Sequence, residues 1–134
     1  MIVSEVMTCK PHIIGSDASL HDAANKMQAT GCSILPVGTY EEIIGVVVSR
    51  DILFRLVSCD VDQSGTSVQS IMSTDIPFCY DDDSLNKAMH KMIENHMRRV
   101  LIFNRDRALV GILSVSDILR RVKNKSELIN IIKE

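Results

Sequence analysis

Ser114 and Asp117 stand three residues apart in the stretch 111–119, GILSVSDIL, where a short apolar run gives way to a serine-and-aspartate turn that opens a helix. A strand end running into a helix N-terminus aims free backbone N–H groups, and the positive end of the helix dipole, at whatever sits there, which suits an anion. Ser114 adds a hydroxyl donor, and the Asp117 carboxylate can accept two hydroxyl hydrogen bonds, as from a ribose diol. One short motif is therefore equipped to hold a phosphate and a ribose together. The same residues equally suit a local role, with Ser114 or Ser116 as a helix cap and Asp117 as a charge favoured by the dipole. An echo at 45–53, GVVVSRDIL, keeps the aspartate as Asp51 but carries Val48 in the place of Ser114. Ser49 comes one residue late. On a strand that shift turns a side chain to the opposite face, so Ser49 is not expected to replace the missing hydroxyl.

The elements that must position these residues are themselves repeated. Val6-Met7 matches Ile71-Met72, Asp17-x-Ser19-Leu20 matches Asp82-x-Ser84-Leu85, and Ala23 with Met27 matches Ala88 with Met92, all at an offset of 65. The offset becomes 66 at Gly45/Gly111 and Asp51/Asp117, which places a one-residue length difference in the turn between, VGTYEE against IFNRDR. Turns are where a duplication best tolerates such a change. Leu20, Ala23, Ala24 and Met27 fall at i, i+3, i+4 and i+7, as do Leu85, Ala88, Met89 and Met92, so each half is expected to carry an amphipathic helix. Candidate N-caps are Asp17 or Ser19 and Asp83 or Ser84; Gly31 suits the left-handed residue that ends the first helix, and Asn95 the second.

After each helix the Ile/Val/Leu-rich runs 33–37 and 99–103, then 43–48 and 109–115, read as short strands buried on both faces. Closing helices are expected at 50–57 and 116–122, and short extended segments at 11–14 and 76–80. The predicted fold class is α/β in the mixed, α+β sense: two β-α-β-β-α repeats over 1–59 and 68–125, joined by a polar linker, 60–67, DVDQSGTS. A tail helix at 126–134 places Leu128, Ile129, Ile131 and Ile132 to cover the core or, less readily, a partner chain.

A chain of 134 residues with 46% hydrophobic side chains can supply one shared core. Its net charge of −2 offers no basic surplus for a phosphate backbone, and two Tyr and three Phe leave little for base stacking, which argues against nucleic acid. No run approaches the roughly 20 apolar residues that cross a bilayer, and the start MIVSEVMTCK lacks the order of a signal peptide, so a cytoplasmic protein with no membrane partner is expected. Cys9, Cys32, Cys59 and Cys79 form no C-x-x-C pair and are read as reduced, mostly buried thiols.

The duplicated Gly-x-x-(Ser/Thr)-x-x-Asp pattern, together with EVMT and SIMST opening the halves and SILPV and RRVLIF as their central strands, resembles the cystathionine β-synthase (CBS) domain. Two such repeats make a stand-alone Bateman module. The resemblance implies a pseudo-twofold pair with two clefts that commonly take adenosine-containing ligands. It assigns Asp117 to the ribose, Ser114 to the phosphate, Arg99 to the phosphate as a two-pronged basic partner, and Ile112 to the same cleft. The adenine there would touch His12, Ile13, Cys32 and Ser33. The other cleft would use Asp51, Val46 and Val48 with Arg98, Met97, Pro77 and Phe78. Ile34 stands where the better cleft has Arg99, so this second cleft is expected to be empty, weak, or suited to a nucleoside.

On this reading the chain is a non-enzymatic regulatory module that binds an adenine nucleotide, AMP before ADP or ATP, needs no cofactor, and signals to a separately encoded protein. Alternatives are another adenosyl ligand, S-adenosylmethionine or NADH, or a ligand-independent dimerisation module. A homodimer through the helix faces 20–27, 50–57 and their second-half counterparts follows from the same resemblance. His90, Glu94 and His96 lack H-E-x-x-H spacing and read as an exposed polar face. Asp81-Asp82-Asp83 reads as helix-dipole charge rather than a metal site, and the repeat-related methionines as core filler.

Overall fold

The computed structural model describes residues 1–58, 62 and 64–133. In chain order these form β1 (Thr8–Cys9), α1 (Leu20–Thr30), β2 (Ile34–Thr39), β3 (Glu42–Val48), α2 (Ser49–Ser58), β4 (Phe78–Tyr80), α3 (Leu85–Glu94), β5 (Arg99–Phe103), β6 (Leu109–Ser114), α4 (Val115–Arg121) and α5 (Lys125–Lys133). Short 3-10 turns, Val3–Glu5 and Val68–Ser70, open the two sequence repeats. The mixed α and β order expected for each half is present, with boundaries within a few residues of the predicted ones, except for the opening strand expected at 11–14.

The chain folds as two compact units, and these do not follow the sequence repeats. One is continuous, His12–Ile76; the other is split, joining Met1–Pro11 to Pro77–Glu134. The opening segment of each repeat folds onto the elements of the other. The Val3 N–H donates to the Asp83 carbonyl at 2.9 Å, and its counterpart Val68 donates to the Ala18 carbonyl at 2.8 Å. Thr8 pairs with Ile112 in the split unit, and Ser73 bridges Val46 in the continuous one. Sequence similarity tells which segments are alike; it does not tell which strand edge and core opening each one fills.

In the continuous unit β2 and β3 form an antiparallel pair, with an irregularity at Val37/Gly38. Ile14, Leu20, Ala23, Met27, Leu35, Val37, Val47, Ile52 and Val68 make its core. Helix α1 starts at Ser19, whose hydroxyl accepts from the Asp22 N–H, and stops at Gly31 in the left-handed conformation, φ 71°. In the split unit the sheet runs β1-β6-β5-β4, with β4 parallel to β5 and the rest antiparallel. The β5–β6 irregularity falls at Ile102/Phe103, the repeat counterpart of Val37/Gly38. Val3, Cys79, Leu85, Ala88, Met92, Val100, Ile102, Leu113 and Ile118 form this core, and Leu128 of α5 packs against it, so the tail covers the core. The segment 11–14 yields only the single bridge Ile14↔Val37 where the second repeat has the strand β4.

Three expectations need correction. Asn95 ends α3 at φ −98°, and the left-handed residue is His96, φ 53°. Strand β6 alternates buried and half-buried positions rather than being buried on both faces. Of the described cysteines only Cys79 is buried; Cys32 is half-buried, and Cys9 lies exposed on a two-residue strand at the edge of its sheet, with no further strand over it among the described residues. Cys59 and parts of the predicted linker lie outside the described residues. Burial, and then the charge of Asp83, pushes the Cys79 thiol up. Iodoacetamide is therefore expected to label Cys9 in the native protein and Cys79 only in denaturant, as peptide mass mapping would show.

The acid run serves the fold. Asp83 is buried; its carboxylate accepts from the Tyr80 N–H at 2.8 Å and pairs with Lys87 at 3.3 Å. Arg105, in the longer turn, grips Asp82 through Nε and Nη2 and lies over the Tyr80 ring, 4.0 Å from its centroid. The hydrogen bonds from Arg105 hold the Asp82 carboxyl below its ordinary 3.8, and the Ser19 backbone does the same for Asp22. A carboxyl depressed in the folded state stabilises fully above its unfolded value and loses that contribution as pH falls through its folded value. Thermal stability is thus expected to decline below about pH 4, and Asp82→Asn to shrink the decline.

Candidate ligand-binding site

The β6–α4 junction is built as a reciprocal cap. Ser114 is extended (φ −117°, ψ 159°); its hydroxyl oxygen accepts from the Asp117 N–H at 3.1 Å, while Asp117 Oδ2 accepts from the Ser114 N–H at 2.9 Å. Asp117 is 7% exposed, and its Oδ1 accepts from the Thr8 hydroxyl at 3.2 Å and from Arg120 Nη2. The cap role anticipated as an alternative is therefore real. It leaves the Ser114 hydroxyl proton available to a ligand, because only the oxygen is used in the cap.

Cross-strand register places the chemistry on one face. Arg99 lies opposite Ser114, Leu101 opposite Ile112, and Ile112 opposite Thr8, so these side chains share the sheet face away from Val100, Ile102 and Leu113 of the core. Phe78 and Tyr80, paired with Leu101 and Phe103, join the same face from β4. Arg98 and Arg99 are exposed, Ile112, Met97 and Pro77 half-buried; the Arg98 carbonyl accepts from the Val115 N–H at 2.9 Å.

In the continuous unit the equivalent pair is Ile34 opposite Val48, with Pro36 opposite Val46, the same register as Arg99 opposite Ser114 and Leu101 opposite Ile112. Helix α2 begins with Ser49, whose N–H donates to the Ser33 carbonyl at 2.9 Å, and Asp51 is half-buried with no hydrogen-bond or ion-pair partner among the described residues. His12 is exposed, and Ile13, Cys32 and Ser33 are half-buried. The eight residues assigned to the better site divide evenly: Asp117, Ser114, Ile112 and Arg99 belong to the split unit, and His12, Ile13, Cys32 and Ser33 to the continuous one. Of the weaker set, Asp51, Val46 and Val48 are continuous-unit residues and Arg98, Met97, Pro77 and Phe78 split-unit residues.

Four side chains beside these residues escaped the sequence reading. Thr8 reaches Asp117 from 109 positions away, and although its counterpart Ser73 is also a hydroxyl, the pairing depends on the exchange of opening segments. Arg120 is an i, i+3 partner of Asp117 and was legible as such. The repeat-related Lys26 and Lys91 reach equivalent positions in each half: Lys26 Nζ donates to the Ile13 carbonyl, and Lys91 sits over the Phe78 ring at 5.6 Å. Among the described residues no group of three His, Cys, Asp or Glu side chains could hold a metal, and no helix is long and apolar enough to cross a membrane.

On α1 and α2, Ala24, Met27, Ser49, Ile52, Leu53 and Leu56 line an open apolar groove of about 230 Å³. Leu53, Phe54 and Val57 nearby are 56%, 58% and 78% exposed, a contiguous apolar helix face of the kind that marks an interaction surface.

The CBS domain model matches residues 3–58 and 68–124. An inosine-5'-monophosphate dehydrogenase of Methanocaldococcus jannaschii is 26% identical over 124 residues, 92% of this chain; the chain spans only 23% of that relative. The CBS domain pair of protein MJ0100 in complex with 5'-methylthioadenosine and S-adenosyl-L-methionine matches with TM-score 0.76 and 23% identity, covering 90% of this chain and 94% of that one. CBSX2 in complex with AMP matches with TM-score 0.75 and 25% identity, covering 89% and 93%.

Proposed function

The chain belongs to the CBS-domain family, and on that premise we propose that it is a non-enzymatic regulatory module for an adenine nucleotide, AMP before ADP or ATP. The observation that carries the reading is the alignment of Arg99 and Ser114 as cross-strand neighbours beside Asp117, which offers a bidentate cation and a hydroxyl donor for phosphate next to a carboxylate for ribose. His12, Ile13, Cys32 and Ser33 are assigned to the base. The AMP complex of CBSX2 and the adenosyl complexes of MJ0100 support this ligand class. Val48 and Ile34 make the echo motif the poorer phosphate site, one suited to a neutral nucleoside.

A ligand that prefers one arrangement of the two repeats, read here as 1–59 and 68–125 with 60–67 between, shifts the population toward it by its differential affinity, and a separately encoded protein reads the result. Titration calorimetry with AMP, ADP, ATP, S-adenosylmethionine and NADH tests the proposal; no heat with any of them defeats it. A second reading, a ligand-independent homodimer, rests on the apolar face of α1 and α2 and on the complete cap at Ser114. It requires a dimer in solution that AMP does not stabilise further against heat.

A further inference from the structure

A carboxylate offers about four acceptor positions. At Asp117 three are taken: one on Oδ2 by the Ser114 N–H, two on Oδ1 by Thr8 and Arg120. A ribose diol needs two, so one donor must leave. The Ser114 N–H is fixed by the strand end, and β1–β6 pairing fixes the Thr8 backbone, which keeps its hydroxyl beside the carboxylate even when that hydroxyl turns. Arg120 is neither: its side chain is 71% exposed, and exposed ion pairs are individually weak. We propose that Arg120 is an internal occupant of the ribose-binding carboxylate, displaced on ligand binding, and that it sets the preference for phosphate-bearing over neutral ligands.

The inference rests on the nucleotide reading above. A ligand that displaces Arg120 with its ribose releases a guanidinium, which a phosphate can re-engage as a bidentate partner. A neutral nucleoside gives it no new partner, so the displacement costs that ligand more. The first repeat has no such device among its described residues. Phe54 occupies the position of Arg120, and Asp51 has no partner among the described residues. The two carboxylates thus differ in occupancy as well as in their neighbours.

The test is titration calorimetry of AMP and adenosine against the full chain, Arg120→Gln and Arg121→Gln. The last makes the same charge change one residue on, where no ion pair forms among the described residues. Arg120→Gln is expected to tighten adenosine binding and leave AMP equal or weaker, lowering the ratio of AMP to adenosine affinity about five- to tenfold, about 1 to 1.4 kcal/mol; Arg121→Gln should leave it unchanged. An unchanged ratio in Arg120→Gln, or an equal fall in Arg121→Gln, overturns the inference while the nucleotide reading stands. If the unaltered chain binds neither ligand, both fall.

Discussion

Asp117→Ala is expected to weaken AMP binding by at least about a hundredfold, whereas Asp51→Ala should change it by less than about threefold. Two hydroxyl hydrogen bonds to an ionised carboxylate are worth about 1.5–3 kcal/mol each, and a hundredfold loss is about 2.8 kcal/mol. The aspartate also closes the Ser114 cap, so its removal costs about 0.5–2 kcal/mol of stability. Asp117→Asn separates the effects. It keeps an acceptor for the Ser114 N–H and for one hydroxyl, so the fold should survive while affinity still drops. Calorimetry with AMP, beside melting curves of each variant, makes the comparison. Equal losses from Asp51→Ala and Asp117→Ala would remove the asymmetry drawn from Val48 and Ile34.

The other large effect concerns the glycine that opens each motif. A Cβ on Gly111 would meet Met7 Sδ at 2.5 Å and the Thr8 carbonyl at 3.0 Å; on Gly45 it would meet the Met72 sulfur and the Ser73 carbonyl, again at 3.0 Å. The methionine tip can move, but the Thr8 carbonyl is held by β1–β6 pairing and the Ser73 backbone by its bridge to Val46. Gly111→Ala and Gly45→Ala are each expected to destabilise by about 1–3 kcal/mol, a fall of several degrees in melting temperature. Met7→Ala combined with Gly111→Ala should cost less than the sum of the two single changes, because the sulfur clash is then gone. Strict additivity in that cycle would show that the methionine is not what excludes the side chain.

These glycines show how a repeat can be legible while its meaning is not. Gly45/Gly111 and Met7/Met72 were each visible as repeat-related pairs, but Gly111 faces Met7 and Gly45 faces Met72, each across repeats. Three of the helix-end signals were fully local and held: Ser19, Ser84 and Gly31 act at their own turns, so neighbouring residues were enough to identify them. Asn95 failed as the left-handed residue because the chain turns one position later, at His96. The expectation of mostly buried thiols failed at Cys9 because its exposure depends on its lying at a sheet edge, and no local pattern records that.

The amino-acid sequence by itself determined that there are two repeats, which helices and central strands compose them, where the one-residue difference falls, and that the motifs are chemically unequal. These follow from periodicity, capping and residue type, all short-range properties of a chain. Tertiary structure decided the rest. It folded Met1–Pro11 with Pro77–Glu134, set Arg99 opposite Ser114, and brought Thr8 to a carboxylate 109 residues away. It also filled three acceptor positions of Asp117 while leaving Asp51 without a partner among the described residues. The physical reason is that strand pairing and acceptor occupancy depend on which distant groups compete for the same edge and the same lone pairs.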